Sequence, residues 1–372
     1  MWKYLYFVFF IASFIFSLLL TNLFKKFAQK VGIIDFPSER KIHKTPTPLL
    51  GGLGIFFSFF LLITFGIIFV NHGFVPNFVR TYIDGIYSVL PKLLILLLGG
   101  ILTVIFGIID DIYQLKPFQK LLLQIITATV VFISGIRITF FIPNIFFSYV
   151  ITIFWIIFMM NCFNLLDNMD GLSAGVGFIT GFILFVFAFE MGQLFIGTIL
   201  SVFLGSLLGF LIYNFPPAKI FMGECGSSFI GYFLGVVSIL LTYYKYEEGQ
   251  NFLPIFIPLI VFSVPFFDTI SVIWIRKKRG YSIFKADKNH LSHRLVNLGM
   301  THKQAVLFIY LLTLATGINA LFIKNLNLKG GIGVLLEVII ILIVVGILEF
   351  FGRGKNGKVN SFSGFNREEK SI

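Results

Sequence analysis

Two adjacent carboxylates with a lysine downstream form the pattern in this sequence that most directly suggests chemistry. Asp110 and Asp111 end a long apolar segment, and Lys120 follows them. Two carboxylates at the edge of a hydrocarbon region are costly unless they are paired or bind a metal ion. A helix N-cap explains one of them, but not readily both. Carboxylates that attract Mg²⁺ or accept a proton, beside a lysine that neutralises phosphate oxygens, suit phosphate chemistry.

A second acidic and amide-rich segment follows the next apolar stretches. Asn161, Asn164 and Asp167 recur every three residues, Asp170 follows, and the segment has no Lys or Arg. If the preceding apolar segment continues as a helix, this spacing places the first three near one face. Oxygen ligands of this kind suit Mg²⁺ and nucleotide hydroxyl or base contacts. The alternative is a plain polar turn.

Three further polar clusters lie at the ends of apolar segments. They comprise Arg40, Lys41 and His43; Glu224 between Gly223 and Gly226; and His290, His293 and Arg294. The first suits phosphate or anionic lipid, although an ordinary basic loop has the same composition. A glycine-rich turn at a helix start exposes N–H groups that favour phosphate. Without a nearby Cys or third His, the histidines favour a cationic clamp over a closed zinc site.

Eleven apolar segments must position these clusters, and the composition predicts an all-α polytopic integral membrane protein. Hydrophobic residues make up 57% of the 372 residues, charged residues only 12%, and mean hydropathy is +0.95. A soluble chain carries about twice this charge, and a spanning helix needs about 20 apolar residues. The predicted spans are Tyr4–Leu23, Leu49–Val70, Leu90–Ile109, Leu121–Phe140, Ile145–Met160, Leu172–Phe189, Gln193–Tyr213, Ser227–Tyr244, Phe252–Ile275, Ala305–Ile323 and Gly331–Phe350.

The distribution of basic residues predicts which side of the membrane each loop faces. With eleven spans, 22 of the 29 Lys and Arg residues fall on the face that carries the C-terminus. The positive-inside rule places that face in the cytoplasm and the N-terminus outside. All five polar clusters then share the cytoplasmic face. The net charge of +12 is thus explained by topology, and we expect no nucleic-acid partner.

We expect one transmembrane catalytic domain over 1–351 and a mobile cytoplasmic tail over 352–372.

In this order, the clusters resemble the polyprenyl-phosphate N-acetylhexosamine-1-phosphate transferase family, glycosyltransferase family 4. The matching stretches are Arg40-Lys41-x-His43 with Pro48-x-x-Gly51-Gly52, Asp110-Asp111, Asn161-x-x-Asn164-x-x-Asp167-x-x-Asp170-Gly171-Leu172, Phe221-Met222-Gly223-x-x-Gly226-Ser227 and His290-x-x-His293-Arg294. The last stretch is more similar to the WecA/TagO branch than to MraY.

The resemblance implies an enzyme of the bacterial plasma membrane. It would transfer N-acetylhexosamine-1-phosphate, most simply GlcNAc-1-phosphate, from a UDP-sugar to polyprenyl (undecaprenyl) phosphate. UMP would leave, and the lipid-diphosphate-sugar would start synthesis of a cell-envelope polysaccharide. The implied cofactor is Mg²⁺, with Mn²⁺ as the alternative. The oligomeric state is open, a homodimer being one alternative.

The resemblance also implies a role for each matching residue. Asp110 and Asp111 would position or deprotonate the lipid phosphate, and Asp167 would support the loop or the metal ion. Asn164 and Glu224 would hold the metal ion, Asp170 would contact uridine, and Lys120 would contact the diphosphate. The sugar phosphate would be bound by His290, His293 and Arg294, and the remaining substrate contacts would come from Arg40, Lys41, His43 and Asn161.

Two departures from the family pattern and several alternatives stay open at this point. Glu224 replaces the aspartate of a Gly-Asp-x-Gly motif, and Ser292 replaces a histidine. The first departure puts the metal geometry in question and leaves an inactive scaffold as an alternative. Within the enzyme class, the alternative is a phospho-MurNAc-pentapeptide transferase. A secondary transporter is the rival from another class, although transporters place their polar residues near the midplane.

Overall fold

The computed structural model describes residues 1–36, 46–140, 142–243, 253–282 and 289–365, with the side chains of 350–365 left out. Within these residues the protein is helical apart from one short antiparallel ladder. The elements are α1 (Trp2–Val31), β1 (Ile34–Asp35), β2 (Thr47–Pro48), α2 (Gly51–Asn71), α3 (Asn77–Arg80), α4 (Ile83–Tyr113), α5 (Pro117–Ile133), α6 (Ile145–Leu166), α7 (Leu172–Glu190), α8 (Leu194–Asn214), α9 (Gly223–Leu240), α10 (Ile257–Val261), α11 (Ser263–Lys278), α12 (Leu291–Asn297), α13 (His302–Gly317) and α14 (Leu328–Phe365).

The chain is a multi-pass helical membrane protein, as the composition predicts. Nine helices in the described residues are long and apolar enough to span a membrane, and the bent pair α10–α11 makes up to ten. All eleven predicted spans contain helix. The fourth differs most from its prediction: α5 has 17 residues, which at 1.5 Å per residue is shorter than a bilayer core of about 30 Å. It ends because Gly135, directly after the cap residue Ser134, has φ 87°.

The described chain divides into two compact units, Met1–Gly249 and Gln250–Ile372. In the first unit α9 is central, packing against α2, α4, α6 and α7, and most of its side chains are buried. A second packing seam joins α1 to α8, where an added Cβ on Gly205 or Gly209 would meet the α1 backbone. Small residues of this kind allow membrane helices to approach closely.

Glycines also bring two helix starts against each other at one end of the first unit. An added Cβ on Gly52 of α2 would overlap the backbone of Gly226 in α9, and one on Gly107 of α4 would overlap Cys225. Backbone hydrogen bonds fix the same contact, since Gly52 N–H donates to the Met222 carbonyl at 2.9 Å. The start of α9 is therefore held between α2 and α4.

The antiparallel ladder supports this junction from the side of the first loop. Ile34 pairs with Pro48 and Asp35 with Thr47. The Pro48 carbonyl accepts from Phe221 N–H at 2.8 Å, which ties β2 to the segment before α9. The segment between the first basic loop and α2 is thereby held against the segment before α9.

The second unit contains α10 to α14 and three 3₁₀ turns, Leu253–Phe256, Ile318–Leu321 and Ile323–Asn325. The predicted ninth span is helical but bends by 65° between α10 and α11. Pro265 lies in the first turn of α11, where a missing N–H is tolerated but helix cannot continue unbroken from α10. α14 runs to Phe365, into the predicted tail, whose mobility stays a prediction, as does the single catalytic domain.

Two glycines of α2 give a matched test of this packing. We expect Gly52→Ala to lower the thermal unfolding midpoint in detergent, because overpacking against the Gly226 backbone costs about 1–3 kcal/mol. Gly66→Ala is the control, since a Cβ there meets nothing within 4 Å and alanine is the better helix former. A melting curve of Gly52→Ala equal to that of Gly66→Ala would contradict the close approach of α2 and α9.

Candidate active site

The side chain of Asp111 caps the N-terminus of a different helix. Asp111 lies near the C-terminal end of α4, and its Oδ1 accepts from the backbone N–H of Glu224 at 2.7 Å. Its Oδ2 accepts from Cys225 N–H at 3.3 Å. The first N–H groups of a helix have no partner within the helix, and a negative charge there is favourable. The anion bound by the glycine-rich turn is thus a carboxylate of the protein itself.

Asp110 uses both of its oxygens on the connection to α5. Oδ1 accepts from Leu115 N–H at 2.8 Å, and Oδ2 lies 2.6 Å from the Lys120 ammonium nitrogen. The side chain is buried, so this ion pair supplies the compensation that a carboxylate at this position needs. Both aspartates therefore have partners within the protein. From the sequence, a helix N-cap could account for only one of the two carboxylates.

Glu224 connects three helices through its carboxylate. Oε2 lies 3.4 Å from the Lys120 ammonium of α5 and accepts from Asn164 Nδ2 of α6 at 2.5 Å. Oε1 accepts from the Ser228 hydroxyl one turn later in α9, at 3.1 Å. Lys120 consequently bridges Asp110 and Glu224, and the three side chains form one charged network with Asn164.

α6 continues through the polar segment, beyond the end that was predicted for the fifth span at Met160, so the condition for placing its polar residues near one face is met. Asn161 and Asn164 both lie in its last turns, and Asp167 is its C-cap residue. Asn161 Nδ2 donates to the Gln124 side-chain oxygen of α5 at 2.8 Å. Gln124 was not among the predicted site residues, because a single glutamine in an apolar helix is not distinctive in sequence.

Asp167 and Asp170 lie in the short loop between α6 and α7. Burial raises the pKa of Asp167 to about 8, and the negative charges of Asp111, Glu224 and Asp170 add to the effect. Asp170 Oδ2 accepts from Ala218 N–H at 2.9 Å, which ties this loop to the one before α9. Both aspartates thus belong to the same end of the first unit as the Lys120 network.

The side chains of the Lys120 network and of the α6–α7 loop are of the kind that binds a hard divalent cation. Asp110, Asp111, Asp167 and Glu224 supply carboxylates, and the cation Lys120 pairs with two of them, Asp110 and Glu224. A cavity of about 20 Å³ lies between Asp110, Lys120, Gln124, Glu224 and Ser228, and that volume holds about one water-sized species. In the described residues no group of three His, Cys, Asp or Glu side chains could hold a metal ion by itself. Mg²⁺ is usually held by one or two carboxylates together with substrate phosphates, so an open site fits.

The second unit holds its own buried polar cluster. The His290 ring Nδ1 lies 3.0 Å from Asp268 Oδ2, and Leu291 N–H donates to Asp268 Oδ1 at 2.6 Å. Both guanidinium Nη atoms of Arg294 donate to the Ser271 hydroxyl at 2.9 Å, and its Nε lies 3.0 Å from Glu349 of α14. Sequence reasoning missed Glu349, which lies at the end of an apolar segment.

The predicted site residues therefore fall into three groups. Within the first unit the structure brings together Asp110, Asp111, Lys120, Asn164 and Glu224, and Asn161, Asp167 and Asp170 lie in the adjoining last turn of α6 and the α6–α7 loop. Within the second, His290 and Arg294 are buried by their partners, and the His293 ring lies 6.3 Å from that of His290. Arg40, Lys41 and His43 lie outside the described residues.

The fold and the site together define a class: a multi-pass helical membrane protein with a network of carboxylates, a lysine and an amide at the ends of its helices. Comparison with known proteins specifies it further. The sequence profile described as glycosyl transferase family 4 matches residues 93–242, which include α6 to α9 and the residues of the Lys120 network.

Three relatives extend this match over most of the chain. A probable undecaprenyl-phosphate N-acetylglucosaminyl 1-phosphate transferase of Bacillus subtilis is 33% identical over 344 residues, covering 90% of each chain. A decaprenyl-phosphate N-acetylglucosaminephosphotransferase of Mycobacterium tuberculosis is 31% identical over 88% of this chain and 84% of its own. An undecaprenyl-phosphate alpha-N-acetylglucosaminyl 1-phosphate transferase of Escherichia coli is 26% identical, covering 81% and 79%. The chain belongs to glycosyl transferase family 4, which confirms the resemblance.

The raised pKa of Asp167 predicts a pH-dependent cost to stability. An unfolded aspartate ionises near pH 4, whereas Asp167 in the folded chain ionises near its pKa of about 8. Stability should therefore fall as pH rises from about 4 to 8. We expect Asp167→Asn to melt at a higher temperature than wild type at pH 8, with the difference vanishing near pH 4.

Asn168→Ala provides the control for this comparison. It removes a neighbouring polar side chain that does not titrate, so its difference from wild type should be the same at both pH values. An Asp167→Asn variant that melts below wild type at pH 8 would mean that the charged carboxylate is stabilised by its surroundings, contrary to the raised pKa.

Proposed function

We propose that this chain transfers N-acetylhexosamine-1-phosphate, with GlcNAc as the sugar, from a UDP-sugar to a polyprenyl phosphate at the cytoplasmic face of a bacterial plasma membrane. A lipid phosphate oxygen forms a bond to the β-phosphorus of the UDP-sugar. The bond from that phosphorus to the bridging oxygen breaks, and UMP leaves. The observation that carries the proposal is the network in which Lys120 bridges Asp110 and Glu224, because it sets a cation among carboxylates at the ends of membrane helices.

The names of the three relatives support the acceptor and the sugar. Each is a polyprenyl-phosphate transferase of N-acetylglucosamine phosphate, and none is named for a MurNAc-pentapeptide. The positive-inside distribution supports a cytoplasmic site. Phosphoryl transfer depends mainly on positioning and charge neutralisation, which a rigid network of this kind supplies.

Mg²⁺ is part of the proposal. Glu224 and Asn164 would hold it, and Asp167 is a nearby carboxylate whose ionised form a positive charge would favour. When bound, the ion would neutralise phosphate oxygens. Lys120, freed from part of its present pairing, would contact the diphosphate. Asp111 would keep α9 in place, since both of its oxygens accept from the helix start.

The decisive experiment measures both products in a defined system. Purified protein in detergent receives undecaprenyl phosphate and either UDP-GlcNAc or UDP-MurNAc-pentapeptide, with Mg²⁺ or with EDTA. We expect UMP and lipid-linked sugar in equal amounts from UDP-GlcNAc with Mg²⁺ only. Product from the pentapeptide donor alone would assign the other substrate. Uptake of solute by reconstituted vesicles, without UMP from any donor, would instead favour a transporter.

Variants of Glu224 test whether its charge and its length are both used. Glu224→Gln keeps the shape but removes the charge that pairs with Lys120, and we expect turnover to fall roughly 10²-fold. Glu224→Asp shortens the side chain by about 1.5 Å, so its carboxylate draws back from Lys120 and Asn164 and turnover falls less. UMP release at several Mg²⁺ concentrations measures both effects.

The control for this series is Glu337→Gln, which removes an exposed carboxylate from α14. Its turnover should match wild type. If Glu224→Asp were more active than wild type and needed less Mg²⁺, the longer residue would be a weakened ligand and the present account of Glu224 would be wrong.

A further inference from the structure

One buried amide joins the two loops that carry the acidic residues of the first unit. Asn214, the last residue of α8, is 2% exposed. Its Oδ1 accepts from Gly171 N–H at 2.9 Å, and its Nδ2 donates to the Ile220 carbonyl at 2.9 Å. Gly171 ends the loop that contains Asp167 and Asp170. Ile220 begins the stretch that leads to Glu224.

We propose that Asn214 is a positioning residue that sets the separation of Asp167 and Asp170 from Glu224. The inference rests on the proposed function for its catalytic consequence, but the structural part stands by itself. Asn214 contacts no other residue of the charged network in the bonds described, so its effect must pass through the two loops.

The chemistry of the side chain explains why an amide suits this place. Gly171 presents a donor and Ile220 an acceptor, and an asparagine side chain supplies one acceptor and one donor group. A carboxylate would face the Ile220 carbonyl with a second acceptor, and an apolar residue would leave two buried backbone groups without this partner, each costing about 1–3 kcal/mol.

The hydrogen bonds around Asn214 restrain the two loops that its side-chain amide joins. Asp170 Oδ2 accepts from Ala218 N–H, a second link between the same loops. Beyond Ile220, Phe221 and Met222 are held by β2 and the start of α2, and Glu224 N–H by Asp111. Since the far side of the second loop is fixed by these bonds, Asn214, together with the bond from Ala218 to Asp170, determines how close the first loop comes to it.

The same helix offers a matched control at its other end. Gln193, the N-cap residue of α8, donates from Nε2 to the Thr242 carbonyl at 2.8 Å and accepts from Thr242 N–H at 3.0 Å. It is therefore an amide that joins two chain segments by one donor and one acceptor, as Asn214 does, but at the opposite end of α8. Gln193→Ala removes an equivalent pair of bonds away from the network.

The first measurement is hydrogen exchange by mass spectrometry on the full chain in detergent, which does not depend on any activity. We expect Asn214→Ala to speed exchange in peptides covering 166–173 and 215–224 and to leave α1 and α6 protected. Asn214→Asp keeps an acceptor for Gly171, so only the 215–224 peptide should exchange faster. Gln193→Ala should leave both peptides unchanged. Faster exchange throughout the chain, or none in these peptides, would overturn the proposal.

The second measurement is turnover of UDP-GlcNAc with undecaprenyl phosphate at saturating concentrations. We expect Asn214→Ala to lower kcat roughly 10- to 100-fold, as displacement of a catalytic group by about 1 Å does, with KM for the lipid within a few-fold of wild type. Gln193→Ala should keep wild-type kcat. Equal losses in the two variants would show general destabilisation instead. If wild type itself releases no UMP, the proposed function fails, while the exchange data still decide the role of Asn214 in loop position.

Discussion

The capping of α9 by Asp111 is the interaction on which the arrangement of the first unit depends. A carboxylate near the C-terminal end of α4 accepts from the first N–H groups of α9, so the two helix ends cannot move apart without exposing unpaired groups. Glycines at 52, 107 and 226 bring the backbones close enough for this contact. Because Glu224 is itself the residue whose N–H is bound, the cap also fixes where its side chain begins.

In the described part of the site carboxylates outnumber cations, and this excess of negative charge affects Asp167. Lys120 pairs with Asp110 and Glu224, whereas Asp167 is left under the influence of Asp111, Glu224 and Asp170. The raised pKa of Asp167 shows that this part of the site holds a proton more readily than an isolated aspartate would. A site that costs stability when ionised is common where a cation or a charged substrate binds, because the ligand supplies the missing charge. The negative charges around Asp167 therefore account for the stability cost and would also attract the proposed cation.

Much of the fold could be predicted from the sequence, and the reasons for the exceptions are local. Every predicted apolar segment contains helix in the described residues, although nine, or up to ten, of these helices rather than eleven are long and apolar enough to span a membrane. The end of α5 at Ile133 was missed because Gly135 interrupts a run that is still apolar by composition. The polar clusters were found through residue type, whereas the continuation of α6 past the predicted end at Met160, through Asn161 and Asn164, was only a condition of the sequence argument. Partners far apart in sequence could not be found this way: Gln124 with Asn161, Asn214 with Gly171, and Arg294 with Glu349 carry no periodic signal.

For the transfer proposed here, the hydrogen bonds of the two adjacent aspartates bear on whether the chemistry takes one step or two. A covalent route would form an acyl phosphate at Asp110 or Asp111, in which one carboxylate oxygen becomes the bridge to phosphorus and a weaker hydrogen-bond acceptor. At Asp111 this would weaken one of the two bonds from Glu224 and Cys225 N–H, because each oxygen of Asp111 accepts one of them. At Asp110 it would remove the charge that pairs with Lys120 at 2.6 Å. Either acyl phosphate would disturb the framework that positions Glu224. Direct attack by the lipid phosphate oxygen forms no bond to either aspartate, and a phosphate monoester, with a second pKa near 6, already carries most of its negative charge at neutral pH. Within the proposed function, direct attack is therefore the route that keeps the hydrogen bonds and the ion pair of both aspartates.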